Sequence, residues 1–439
     1  LIFALCVRGY RGDYALFSGM IEHLGTKGLS GYYKGDASAA LYPAVYFVYL
    51  IFGGLSNAMG LSEYGLGMQF MIKLPLIIAD LLAAYAIYKI ADKYFSRRAA
   101  LALCAFVCVC PIFFLGSSIW CTPITFTVMF ACFACYFLAR KNYATTIAFM
   151  TAAAFSSKEG IYLFPVACVF SVYHFVRAVK NISNAVPSEN GSLSADRRAA
   201  ITVPVGFFAS LLCAYLIGLF MTASYSYDPF LYIYEFLLHP LVGWEYFTYN
   251  GLSVYAIFNQ NGGVPTARFP SWLFACVFGA IIVAVVCVVY FTKRNRATMV
   301  MLAAYSLFTM QVYYPGSAAI GFQSVLAILL AAYALVRDKR LLTILFVSGI
   351  AYLMNAVTVL SCADYLNNLG DFNFDTAETL LRGGMGAVTI TCSVLTVLAH
   401  LYFTVVAVSV GMTGQKKMLE PAHGIRQSIK EFFAVKKVG

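Results

Sequence analysis

The chain has 439 residues, of which 61% are hydrophobic and 11% charged, and its mean hydropathy is +0.78. Soluble domains carry about 25% charged residues, so composition excludes a soluble globular protein and points to an all-α polytopic membrane protein. The net charge of +11 gathers in clusters between apolar runs, a lipid-headgroup pattern and not a nucleic-acid footprint.

The chain opens at Leu1 inside an apolar run with no initiator Met, so the start of the first helix is expected to be missing. Gly9-Tyr10-Arg11-Gly12-Asp13-Tyr14 follows directly. A polar stretch then leads to Tyr33-Lys34-Gly35-Asp36 and Leu41-Tyr42-Pro43-Ala44-Val45-Tyr46-Phe47. Two carboxylates at a membrane surface beside an aromatic, Pro-started helix are costly unless used. Further on, basic clusters at Lys93/Arg97/Arg98, Arg140/Lys141, Arg177 to Arg198, Lys293/Arg294/Arg296, Arg337/Lys339/Arg340 and the tail from Lys416 mark cytoplasmic loops. Between them lie short or acidic outer loops at 116–122, 156–160, 223–270, 314–316 and 362–384. Alternating the two sets predicts spans near 72–92, 99–115, 121–139, 143–156, 160–177, 200–222, 271–291, 298–313, 317–336, 341–360 and 385–411.

Parity adds a constraint. With 93–98 inside, the segment 8–71 begins and ends outside, so the helix near 42–58 lies along the outer surface and does not cross. With the truncated first span the expectation is about twelve transmembrane helices, outer-surface juxtamembrane helices in the first loop, and the C-terminus inside. The chain divides into a transmembrane module at 1–178 with outer loop 8–71, a cytoplasmic linker at 179–198, a second transmembrane module at 199–411 with outer loop 223–270, and a cytoplasmic amphipathic tail at 412–439. Ile425, Ile429, Phe432 and Phe433 give that tail its helical apolar spacing. The sequons at Asn181 and Asn190 fall in the cytoplasmic linker, which argues against their glycosylation. Most of the 13 cysteines sit inside apolar spans, and Cys132-x-x-Cys135 has no polar partner, so both read as small core residues.

An Asp just past the first helix, a Gly/Tyr-rich stretch, a second Asp and a Tyr-Pro helix together resemble the GT-C superfamily of membrane glycosyltransferases. These include the protein O-mannosyltransferases and the lumenal glucosyltransferases of N-glycan assembly. Lys73-Leu74-Pro75 with Asp80, Ser157-Lys158-Glu159-Gly160 with Pro165, and Thr248-Tyr249-Asn250-Gly251 through Tyr255 and Asn261-Gly262 are similar to later family stretches, in the same order. Two departures stand out. Gly116-Ser117-Ser118-Ile119-Trp120 lacks the carboxylate many relatives carry there, and Tyr313-Tyr314-Pro315-Gly316-Ser317 lacks the charges of a His-Glu-Arg-Tyr stretch.

The resemblance implies transfer of a sugar from a polyprenyl-phosphate donor to an acceptor hydroxyl on the outer face, with inversion. The acceptor is an unknown glycan, lipid or protein. Such a transfer needs a base, and Asp13 is the candidate, with Arg11 near enough to depress its pKa or bind phosphate. The alternative for Asp13 is an interfacial charge paired with Arg8 or Arg11. Asp36 either positions the acceptor or caps the surface helix. Candidate substrate contacts are Arg11, Lys34, Asp36, Tyr42, Lys158, Glu159, Asn250, Tyr255 and Arg268, with the cations serving the lipid phosphate. Asp80, inside a span, needs a partner or a cavity, and a structural role is favoured. His174 and His400 show no partner pattern, no metal-ligand spacing occurs, and neither a metal nor another cofactor is expected. The other readings are a transporter or lipid flippase, and an inactive GT-C-like lipid-binding scaffold. The expected location is a bacterial plasma membrane with the site facing outside, or alternatively an ER membrane with a lumenal site.

Overall fold

The computed structural model describes residues 11–28, 42–62, 65–183, 192–222, 248–260, 271–293, 296–368 and 384–413. Helix α1 (Arg11–Lys27) and helix α2 (Pro43–Ala58) precede the long helix α3 (Leu66–Ala91). Next come α4 (Arg97–Val109), the short α5 (Pro111–Phe114) and a π-turn at Leu115–Ile119, then α6 (Ile124–Ala139), α7 (Tyr143–Ala154), the short α8 (Lys158–Ile161) and α9 (Phe164–Ser183). The second half holds α10 (Ser192–Thr222), strand β1 (Thr248–Tyr249), the short α11 (Val254–Ile257), α12 (Ser271–Lys293) and α13 (Arg296–Tyr313). It closes with strand β2 (Ser317–Ala318), a 3₁₀ turn at Ala319–Gly321, and helices α14 (Phe322–Val336), α15 (Lys339–Asn368) and α16 (Gly384–Thr413).

The protein is an all-α membrane protein, with one two-residue parallel pairing, β1 on β2, among the described residues. Five described helices are long and apolar enough to cross a bilayer, and the bent pair α4–α5, at 55°, makes a sixth if taken as one span. Twelve crossings are therefore not established. Helix α7, with 12 residues, is about 18 Å long, well short of a hydrocarbon core of about 30 Å.

Contacts sort the loop ends into two groups. Lys93 Nζ donates to the carbonyl of Ala139 at 3.2 Å, and the Arg337 guanidinium lies 5.6 Å from the Tyr94 ring centroid. Arg340 pairs with Asp338 and reaches Ser409 Oγ at 3.5 Å. The basic loops 92–98, 139–142 and 337–340 therefore share one end of the bundle, the end that the positive-inside rule expects to face inward. At the opposite end, Ala44 N donates to Phe155 O at 2.9 Å, Lys158 Nζ donates to Gly316 O, and Tyr255 Oη donates to Tyr313 O at 3.0 Å.

Helix α14 runs along the centre. Its sequence, FQSVLAILLAAYALV, is apolar on every side and rich in Ala. Such a helix has no polar face to present to water and its small residues permit close approach. It packs on α3, α5 and α6 from the first half and on α13 and α15 from the second. Leu326, Ile328, Leu329, Leu330 and Ala331 are fully buried. The outer helices instead expose large apolar side chains such as Phe208, Leu212, Val288 and Leu398, the surface a lipid-facing helix needs.

Helix α2 begins with Pro43, whose fixed φ and missing N–H suit the first helical position. Val45, Tyr46, Tyr49, Gly53 and Ser56 form its buried face, while Phe47, Ile51 and Leu55 face away. Tyr49 donates from its hydroxyl to Ile72 O at 2.9 Å and stands edge-on to Phe126 at 6.3 Å, which fixes α2 on α3 and α6. Helix α1 crosses α2 at glycines. A Cβ on Gly25 would sit 2.3 Å from Gly53 O, and one on Gly53 would sit 2.7 Å from Ile21 O. Tyr14, Phe17, Met20, Ile21 and Leu24 complete the packing, with the Phe17 and Tyr49 rings 5.5 Å apart. The bounds of α2 match the surface helix expected near 42–58.

Candidate active site

The end of the bundle opposite the basic loops gathers polar groups around the segment 311–321. Helix α13 ends at Tyr313, and the chain turns through Tyr314 and Gly316 (φ 76°, a left-handed conformation that suits glycine) into β2. Thr248 Oγ1 lies 3.1 Å from Ser317 Oγ, beside the β1–β2 pairing. Asn250 adopts φ 53°, tolerated by Asn, and its carbonyl accepts from Asn355 Nδ2 at 2.8 Å. Thr389 Oγ1 in turn donates to Asn355 Oδ1 at 2.9 Å. The described part of loop 223–270 is thereby tied to α13, α15 and α16.

Glu159 enters this region from the turn between α7 and α9. It is 5% exposed. A Cβ placed on Gly321 would meet Glu159 Oε1 at 2.9 Å and Gln311 Nε2 at 2.7 Å, so both side chains converge on the backbone at the start of α14. Tyr162 and Tyr314 pack edge to face at 5.7 Å alongside, and Tyr162 lies within reach of the charge of Glu159. Tyr42, held there by the Ala44–Phe155 bond, feels the same charge. Burial first, and then the Glu159 carboxylate, hold its phenol well above the usual range.

Lys158 turns away from its neighbour. Its ammonium donates to Gly316 O, and no ion pair or hydrogen bond reaches the Glu159 carboxylate among the described residues. The Tyr42 hydroxyl and Gln311 Nε2 are likewise buried without a hydrogen-bond partner among the described residues. An unpaired buried polar group costs about 1–3 kcal/mol, so two of them near a carboxylate that makes no hydrogen bond call for a physical reason.

Of the side chains expected from sequence, Tyr42, Lys158, Glu159, Asn250 and Tyr255 are all brought to this end. Asn250 and Tyr255 are engaged in holding the loop. Lys34, Asp36 and Arg268 lie outside the described residues, as do residues 1–10, the linker 184–191 and the tail from 414. Arg11 and Asp13 open α1, and their side chains are likewise outside what is described. Asp80 accepts from Ser117 Oγ on the π-turn, the partner a carboxylate inside a span requires. His400, which shows no partner pattern in sequence, lies 2.9 Å from Thr309 Oγ1 through Nε2, between the rings of Tyr305, Phe308 and Tyr313. Among the described residues no three His, Cys, Asp or Glu side chains gather to hold a metal ion.

Gln311, Tyr162 and Tyr314 are absent from the sequence-derived set. Gln311 carried one usable signal, an amide inside an otherwise apolar span.

Residues 65–188 match the family model described as dolichyl-phosphate-mannose-protein mannosyltransferase. The match supports a GT-C superfamily membrane glycosyltransferase. It runs from α3 through α9, so it includes Asp80, Lys158 and Glu159 but neither Asp13 nor Tyr42. No curated protein matches the chain.

Proposed function

We propose that this glycosyltransferase moves a hexosyl group from a polyprenyl-phosphate donor to an acceptor hydroxyl at the outer end of the bundle, with inversion. The observation that carries the reading is a buried polar cluster, contributed partly by the family-matched stretch 65–188, at the end opposite the basic loops. In the reaction the acceptor oxygen attacks the anomeric carbon as the bond from that carbon to the phosphate oxygen breaks. The acceptor proton passes to a carboxylate, and polyprenyl phosphate departs with the bonding electrons.

Asp13 is the proposed base. It stands at the start of α1, a helix locked onto α2 and α3 by Phe17, Tyr49 and the Gly25–Gly53 crossing. Arg11 and Lys158 are proposed for the departing phosphate, with Lys34 and Arg268 as further cations. Lys158 spends one of its three donors on Gly316 O, which orients the ammonium and leaves two for an anion. About twelve crossings and a bacterial plasma membrane complete the proposal, with an ER membrane as the alternative.

The test is turnover by the purified full chain against polyprenyl-phosphate mannose and polyprenyl-phosphate glucose, followed as release of polyprenyl phosphate. Wild type is expected to consume one donor, and Asp13→Asn to lose about 10²–10⁴ in rate with its melting temperature unchanged. A folded Asp13→Asn protein that matches wild type removes Asp13 as the base. Consumption of neither donor by wild type counts against the transferase reading itself.

A further inference from the structure

Glu159, Gln311 and Tyr42 share a property that the displacement step does not use. The Tyr42 hydroxyl and Gln311 Nε2 are buried with no hydrogen-bond partner among the described residues, the Glu159 carboxylate makes no hydrogen bond there either, and the three come from separate parts of the chain. The Ala44–Phe155 hydrogen bond brings Tyr42 in, the turn after α7 brings Glu159, and the last turn of α13 brings Gln311. Gly321 marks where two of them meet, since its missing side chain leaves room for Glu159 Oε1 and the Gln311 amide together.

The donor and acceptor inventory narrows the ligand. A carboxylate accepts, an amide nitrogen donates, and a phenol does either. An anion such as phosphate is repelled by Glu159, whose neighbouring cation Lys158 is turned to Gly316 O. A metal ion would leave the Gln311 N–H groups unused. A neutral hydroxyl can satisfy all three at once, donating its proton to Glu159 while its two lone pairs accept from Gln311 Nε2 and the Tyr42 hydroxyl. We propose that Glu159, Gln311 and Tyr42 form a subsite for a sugar hydroxyl, so that this corner reads the glycosyl group of the substrate and not its phosphate. The inference rests on the transferase reading for what carries the sugar. The pairing also gives selectivity, because a site built to hydrogen-bond a hydroxyl is left with unpaired buried groups when the hydroxyl is missing.

The experiment is equilibrium binding to the full chain in lipid nanodiscs, comparing polyprenyl-phosphate mannose with polyprenyl phosphate that carries no sugar. Glu159→Gln, Gln311→Leu and Tyr42→Phe are each measured against wild type. Each variant is expected to lose roughly tenfold or more in affinity for the sugar-bearing lipid and to bind the sugar-free lipid as wild type does. Tyr42→Phe removes a single oxygen and keeps the ring, so it guards against a folding defect. Variants that keep wild-type affinity for the sugar-bearing lipid overturn the subsite, as does a parallel loss of both lipids in all three. If wild type binds neither lipid, the transferase reading fails, and methyl α-D-mannopyranoside and methyl α-D-glucopyranoside decide the subsite alone. Thermal protection of wild type but not of Glu159→Gln by either glycoside sustains it, and protection of neither protein overturns it.

Discussion

Substituting Gly321 by Ala tests the cluster of Glu159 and Gln311 without replacing a polar side chain. Gly321 has φ −56° and ψ −26°, which Ala adopts freely, so the smaller unfolded-state entropy contributes about 0.4–1 kcal/mol in favour of the variant. The new methyl carbon would lie 2.7 Å from Gln311 Nε2 and 2.9 Å from both Gln311 Oε1 and Glu159 Oε1, where ordinary contact begins at 3.4 Å. Each side chain must therefore retreat by about 0.5–0.7 Å, the difference between those distances. The clashing atoms are side-chain ends and not backbone, so the overpacking cost belongs at the low end of about 1–3 kcal/mol. The fold should survive with a small net loss. Positioning is less forgiving, since a misplacement of about 1 Å costs on the order of 10²-fold in rate. A shift of half that size should slow donor turnover by about tenfold. The assay pairs donor turnover with thermal unfolding of the same preparation. A Gly321→Ala protein that melts like wild type and turns over within twofold of it would show that the cluster does not face the substrate.

Gly53→Ala makes the opposite kind of change, because its methyl carbon would meet Ile21 O at 2.7 Å and Gly25 N at 2.9 Å, both backbone atoms. Helix α1 must then lift from α2, at about 1–3 kcal/mol, and protease cleavage within α1 should quicken; unchanged cleavage would mean that the two helices are not locked. Asn355→Leu removes the amide that donates to Asn250 O and accepts from Thr389 Oγ1, at about 1–3 kcal/mol. Amide exchange at Thr248 to Gly251 should accelerate, and an unaltered exchange pattern would refute the role given to that side chain.

The sequence made the helix at Pro43–Ala58 legible because its signals are local. Pro43 marks a helix start, and the structure begins the helix at that residue. The alternation of basic and acidic loops put 93–98, 140–141 and 337–340 on one side, where the Lys93–Ala139 and Arg337–Tyr94 contacts now find them. The cluster at 311–321 was much less legible. Tyr313 to Ser317 read as a stretch that had lost its charges, yet the groups that organise it are the carbonyls of Tyr313 and Gly316, and a backbone carbonyl leaves no trace in side-chain chemistry. Lys158 and Glu159 are adjacent in sequence, yet the turn sends one to Gly316 O and the other to Gly321. Asp80 announced its need for a partner, but only the bend after α4 and the π-turn bring Ser117 within reach, and neither follows from spacing along the chain.

The burial of α14 bears on how the protein is made. Helices α3 and α6 are synthesised well over a hundred residues before the helix that packs between them and the second half, so for much of translation their facing surfaces must meet lipid. The buried residues of these helices are largely small and apolar, such as Ala83, Ala84 and Ile87 on α3 and Ala131, Cys132 and Cys135 on α6, so the waiting intermediate costs little in a bilayer, where side-chain packing and not water avoidance drives helix association. The arrival of α14 replaces acyl chains by a fitted neighbour, and the same helix begins at Gly321, against which Glu159 and Gln311 lie. The meeting of Glu159 and Gln311 at Gly321 is thus completed only when this late-synthesised helix has docked.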